Sequence, residues 1–191
     1  MSMWQLRRDF TADLARQFLL DDLLKDILRT KYLYADIEPS KDFGRGFFEP
    51  VLLALCWCDF LGALYTGTGT VGTSTVRTTR YLREMLADVD VRYADVAEYL
   101  VKTYRHGVVH AYAPLGHFQI SVSDATSHLR TKAKPLIVSI SIAHLLEDLG
   151  ESVRRLASSL DPSGPADRPK TLAALNKARS ELLAYAQSDA A

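Results

Sequence analysis

The sequence predicts an all-α protein, a helical bundle of about five to six helices with a small late β-hairpin insertion. Three observations carry this. Apolar residues recur at helical spacing through most of the 191 residues. Only two short stretches, His117–Val122 and Leu136–Ile142, alternate with a period of two. Between these segments lie the Gly-, Pro- and Thr-rich stretches that break regular structure.

Leu6, Phe10, Leu14 and Phe18 recur every fourth residue and lead into Leu20, Leu24, Ile27 and Leu28, which predicts a first helix from Met3 to Tyr34. Glu38 to Gly44 breaks it. Phe47 to Tyr65 is apolar nearly all round, so a buried central helix is expected, with Pro50 in the first turn where no amide donor is needed. Thr66 to Thr75 is almost wholly Gly and Thr and reads as a flexible loop. A helix follows from Ser74 to Ala87. Asp88 and Asp90 offer an N-cap to the next one, which carries Val91, Ala94, Val96, Tyr99, Leu100, Tyr104 and Val108 until Pro114 ends it. The two alternating stretches, with polar and basic residues between them, read as an antiparallel hairpin near 117–142. Ala143 to Leu160 returns to helix. One bundle domain over 1–160 is thus followed by a linker at 161–170 and a C-terminal helix at 171–191, marked by Leu172, Leu175, Leu182 and Leu183 and packing on the same domain.

Composition narrows the function classes. Hydrophobic residues make up 48% and charged residues 24%, as in ordinary soluble proteins. Lys plus Arg is 23 and Asp plus Glu is 23, so no global basic field marks a nucleic-acid binder and any polyanion site must be local. Cys56 and Cys58 lie about 200° apart on a helix, which suits neither a disulfide nor a shared metal, so both read as core residues. Met1 to Phe10 lacks a signal-peptide core, and the apolar run Val51 to Tyr65 is interrupted by Asp59 and reads as too short for a bilayer. A soluble cytoplasmic protein without a membrane partner is the expectation.

The most informative stretch is Tyr104-Arg105-His106-Gly107-Val108-Val109-His110-Ala111-Tyr112. Its arginine offers a planar fork for a phosphate, and its histidines can move a proton near neutral pH. This stretch resembles the signature of the HEPN superfamily (higher eukaryotes and prokaryotes nucleotide-binding domains): an arginine, a polar residue, a few residues, then a histidine. Arg105, His106 and His110 fill those positions, with Tyr104 and Tyr112 as aromatic neighbours. The resemblance implies an all-helical bundle, often dimeric. Many members are metal-independent endoribonucleases of toxin–antitoxin, abortive-infection or CRISPR-linked systems, and others are non-catalytic binding or assembly modules. For this chain it implies a homodimer, a possible RNA substrate, a possible antitoxin or other protein partner, and no cofactor. In the implied reaction the ribose 2′-OH attacks the adjacent phosphate. His110 acts as general base or acid, Arg105 stabilises the phosphorane, and His106 orients the others or contacts the phosphate.

Other constellations stand beside it. His106 and His110 are four apart like the ligands of a zincin helix, but Gly107 stands where that motif needs its Glu, so no metal site is expected. Gly67-Thr68-Gly69-Thr70-Val71-Gly72 matches G-x-G-x-x-G in form, yet it follows a helical run and reads as a helix connection. Arg77, Arg80 and Arg83 would form a weak RNA-guiding ridge or, more simply, a solvated helix face paired with Glu84 and Asp88. Arg130, Lys132 and Lys134 read the same way. Asp59, a carboxylate inside an apolar run, needs a partner, and the expectation is Arg105 or a polar pocket around it. A small-ligand-binding bundle unrelated to HEPN proteins stays open as well, and predicts a closed apolar pocket with buried, hydrogen-bonded histidines.

Overall fold

The computed structural model describes residues 9–35, 48–70, 72–105, 117–121, 124–133, 136–161 and 168–188. Among these residues the fold is a bundle of six helices with a small β insertion late in the chain, as the sequence predicts, and the insertion is a three-stranded sheet.

Helix α1 spans residues 12–35 as Ala12–Gln17, a π-helical turn Phe18–Leu23, and Leu24–Ala35. Its start differs from the expected Met3. Residues 9–11 are not helical, and extended Thr11 caps the helix by accepting a bond from the Leu14 amide at 3.3 Å. Helix α2, Phe48–Thr66, runs through the middle and contributes Val51, Ala54, Leu55, Cys58, Leu61 and Leu64 to the core. It is apolar all round but not buried all round. Leu53 and Cys56 lie exposed, so of the two cysteines only Cys58 is a core residue. The expectation that this run is too short for a bilayer is also corrected: Glu49–Thr66 is long and apolar enough to cross one. In this fold half of that window is buried against the other helices.

Helix α3 covers residues 74–86, as Ser74–Tyr81 and a π-helical turn Leu82–Leu86. It lies so close to α2 that a Cβ on Gly62 would fall 2.5 Å from the Arg77 carbonyl oxygen. Asp90 prepares the next helix by accepting the Arg92 amide at 3.0 Å. Helix α4 then covers residues 92–105, as Arg92–Tyr99 and a π-helical turn Leu100–Arg105, with Tyr93, Val96, Ala97, Leu100 and Val101 facing the core.

Strands β1 (His117–Ser121), β2 (Thr131–Ala133) and β3 (Leu136–Ser141) form a sheet in the order β1-β3-β2. This corrects the expected hairpin. The two alternating stretches pair in parallel, from His117↔Ile137 to Ser121↔Ser141, and the antiparallel partner of β3 is the short basic strand β2. Alternation specifies a strand and its faces but not its direction. Residues 122–135 between the two stretches are long enough for the crossover that parallel pairing needs.

Helix α5, Ile142–Ser158, continues directly from β3 and lays Leu145, Leu146, Leu149, Val153 and Leu156 on the core. Gly150 lets α1 approach, for a Cβ there would sit 3.2 Å from Leu24 Cδ1. Helix α6, Arg168–Ser188, starts inside the expected linker, with Pro169 in the first turn where its missing amide costs nothing. It packs on α2 and clasps the other end of the chain. Asn176 accepts from the Phe10 amide at 2.7 Å and donates to its carbonyl at 2.9 Å, while Arg179 pairs with Asp9.

Candidate functional site

Helix α4 is amphipathic, and the apolar stripe that buries it against α2 and α3 fixes where its last described residue, Arg105, stands in the backbone. His106, His110 and Tyr112 lie outside the described residues, as do the side chains of Tyr104 and Arg105. A π-helical turn leads into Arg105. Such turns often accompany functional sites, but α1 and α3 carry one too, so the geometry alone does not single this helix out.

Asp59 has the partner its position demands, and one of those partners is Arg77. The two side chains are 15% and 12% exposed and meet through two bonds, Nε to Oδ1 at 2.5 Å and Nη2 to Oδ2 at 3.2 Å. Ser74 Oγ donates to the same carboxylate at 2.7 Å and Thr78 Oγ1 at 3.3 Å. Arg77 Nη1 also donates to the carbonyls of Thr68 and Thr70, both at 3.3 Å. The pair therefore stitches the Gly–Thr connection to the middle of α2. A contact with Arg105 would fall on a side chain outside the described residues.

The remaining arginines of α3 are likewise matched by carboxylates. Arg80 pairs with Glu84 at 2.8 Å and Arg83 with Glu98 at 2.9 Å. The expected pairing with Glu84 thus forms, whereas Asp88 offers its backbone carbonyl to Arg155. Tyr65 donates to Glu84 at 2.8 Å, with Arg80 over its ring at 5.8 Å. Burial acts to raise the Glu84 carboxyl, but the hydrogen bonds from Arg80 and Tyr65 and the Arg80 charge outweigh it and hold the carboxyl below its ordinary range. Burial first, and then the bond to Glu84, pushes the Tyr65 phenol up to about 12. Arg130 and Lys132 are exposed at and beside β2; Lys134 lies outside the described residues.

The Gly–Thr connection is a seat for α6. Gly69 donates its amide to Glu181 Oε2 at 2.7 Å and Thr70 Oγ1 donates at 3.0 Å. A Cβ on Gly69 would fall 2.7 Å from the Ala178 carbonyl oxygen, so the close approach of α6 requires glycine there. The expectation of a flexible loop is corrected accordingly. The chain's own carboxylate takes the backbone donor that a phosphate would use in a nucleotide loop.

One cluster carries no sequence motif. His128, 2% exposed, accepts a bond from the Ser141 amide on Nδ1 at 3.1 Å. Its Nε2 lies 3.0 Å from Tyr93 Oη and 3.2 Å from Asp148 Oδ2, and Tyr93 donates to Asp148 at 3.0 Å. Arg92 Nη1 donates to the His128 carbonyl, and His144 Nδ1 lies 2.9 Å from Ser141 Oγ. Burial, then the Asp148 charge, raises the Tyr93 phenol far above its ordinary value. A carboxylate that orients an imidazole is the grammar of acid–base catalysis, but both ring nitrogens are engaged and the ring is buried. As it stands the cluster ties the sheet to α4 and α5. Its residues lie far apart in sequence, and His128 sits in a polar stretch with no periodicity, so no sequence signal points to it.

Among the described residues no group of three side chains is placed to hold a metal ion. The groove along α1 beside Lys25, Leu28, Arg29, Tyr32 and Leu33 is open rather than a closed apolar pocket. Comparison of the chain with family models, with curated proteins and with solved structures finds no match in any of the three.

Proposed function

We propose that this chain is a HEPN-like, metal-independent endoribonuclease of the cytoplasm, acting as a homodimer and controlled by an antitoxin or another protein partner. The observation that carries the reading is the Arg105-His106-x3-His110 sequence, which starts at the last described residue of the amphipathic helix α4 in a mostly helical fold. In the proposed reaction the 2′-oxygen attacks the neighbouring phosphorus. His110 takes the 2′-proton or protonates the leaving 5′-oxygen, and Arg105 stabilises charge on the phosphorane. His106 contacts the phosphate or holds the other two. Neither a metal nor an organic cofactor enters this scheme.

The test is cleavage of a mixed RNA pool in excess chelator by the wild-type chain, Arg105→Ala and His110→Ala, with folding checked by circular dichroism. The reading expects cleavage by the wild type and a loss of about a hundredfold or more in each folded variant. Cleavage unchanged in both variants, or cleavage abolished by the chelator, would overturn it.

A second reading is a non-catalytic HEPN-like interaction module, and one observation favours it. Arg77, Arg80 and Arg83, which would form a ridge for an RNA backbone, are all matched by carboxylates. This reading expects no cleavage of any RNA and retained binding to a protein partner in the same variants.

A further inference from the structure

Ser141 stands at the junction of β3 and α5, between two imidazoles. Its amide donates to Nδ1 of His128 and its hydroxyl meets Nδ1 of His144, and the two rings are 5.8 Å apart. These contacts respond differently to a proton. A backbone amide only donates, so Nδ1 of His128 must present a lone pair, and the ring's single proton sits on Nε2, facing Tyr93 and Asp148. A hydroxyl both donates and accepts, so Ser141 Oγ can reverse and keep its bond when His144 gains a proton. A second proton on His128 has only Nδ1 to occupy. There it would face the Ser141 N–H at 3.1 Å and leave a buried amide without an acceptor.

We propose that His128 is a proton-operated clasp between the sheet and the helices, closed by the neutral imidazole and opened at Ser141 when the ring is protonated. The surroundings decide which side gives way. From α5, the Asp148 carboxylate lies 3.2 Å from Nε2 and holds the protonated ring in place, while His144 sets a second imidazole 5.8 Å away. From α4, Tyr93 bonds the same nitrogen, and Arg92, itself paired with Asp90, holds the His128 carbonyl. Among the described residues of the sheet, the Ser141 amide faces the ring, with the neutral backbone bonds Leu129 N to Ser139 O and Ser139 N to Arg130 O beside it. Asp148 therefore retains the ring and the strand end is released. The backbone beside the clasp is already strained: Leu129, a buried non-glycine residue, sits at φ 54°, in the left-handed region. An open clasp relieves that turn. Because Ser121 of β1 is in register with Ser141 of β3, it also loosens the parallel pair.

The test follows the protein by ¹⁵N nuclear magnetic resonance and hydrogen exchange from about pH 7.5 to about pH 5, the range in which imidazoles change charge. At the upper end the His128 proton should be found on Nε2. The protection factor of the Ser141 amide, corrected for intrinsic exchange, should fall roughly tenfold or more toward the lower end, while that of Leu149 holds. His128→Asn keeps an acceptor near Nδ1 and cannot titrate, so its Ser141 protection should not fall; His144→Asn should behave as the wild type. A proton on Nδ1 at the upper pH, a constant Ser141 protection factor in the wild type, or an equal fall in folded His128→Asn would overturn the proposal. If His128→Asn does not fold, the wild-type ring and amide measurements decide alone.

Discussion

At position 59 a carboxylate sits midway along the most apolar helix of the bundle, and its neighbours show how the chain tolerates it. Two bonds from Arg77 and one each from Ser74 and Thr78 satisfy it on one side of α2. Asp59→Ala leaves Arg77 mostly buried with no carboxylate in this pair, so it should destabilise the fold by about 2–3 kcal/mol, read as a lower urea midpoint at constant m. An unchanged midpoint would mean the pair is screened like a surface contact. Glu84 makes a pH prediction. Its carboxyl is held below the ordinary range, so its contribution to stability is fully present above the unfolded value and is lost as pH falls through the folded one. The stability difference between the wild type and Glu84→Gln should therefore shrink as urea titrations move down through the carboxylate range. A difference that grows on acidification would refute the assignment. The need for a partner at Asp59 was legible in the sequence, because an unpaired charge in that run would be prohibitive. The partner itself was not, because Arg77 reaches Asp59 only once the Gly–Thr connection folds back.

Among the elements, α2 and α3 are held together by the absence of a side chain. Gly62→Ala would gain up to about 1 kcal/mol of helix propensity. The new Cβ, however, meets the Arg77 backbone at 2.5 Å, an overlap that neither helix can relieve by turning a rotamer. We expect a net loss of about 1–3 kcal/mol, measured by the same urea titration, and a gain in stability would contradict this packing. Gly72→Ala is the contrast: nothing lies within 4 Å, and only its φ of 90° resists, at a cost of about 1 kcal/mol. Most helix positions among the described residues were legible to within a few residues, since the stripes through Leu24 and Ile27 or Leu145 and Leu149 are set by local period; the exception is the first helix, expected from Met3 and starting at Ala12. The first helix began late because Thr11 caps it. The sheet was legible as strands but not as a parallel pair, because direction depends on where the chain crosses over.

For the molecule as a whole, α6 closes the fold by touching both its start and its middle. Asn176 and Arg179 hold Phe10 and Asp9, Leu175 and Ala178 enter the core, and Glu181 ties the Gly–Thr connection. A chain ending before residue 168 should lose its cooperative thermal transition and bind a hydrophobic dye. A truncated chain that melts cooperatively would show α6 to be an appendage. The functional reading rests on a shorter span. The Arg105–His110 pattern was legible because it is local in sequence, whereas the His128 cluster brings α4, α5 and the sheet together and could be read only in three dimensions. The proposed chemistry is tested most directly at the ends of the RNA fragments. Attack by the 2′-oxygen predicts a 2′,3′-cyclic phosphate on one fragment and a 5′-hydroxyl on the other, formed in the presence of chelator and lost in His110→Ala. Fragments ending in a 3′-hydroxyl and a 5′-phosphate would contradict it, because water would then be the nucleophile.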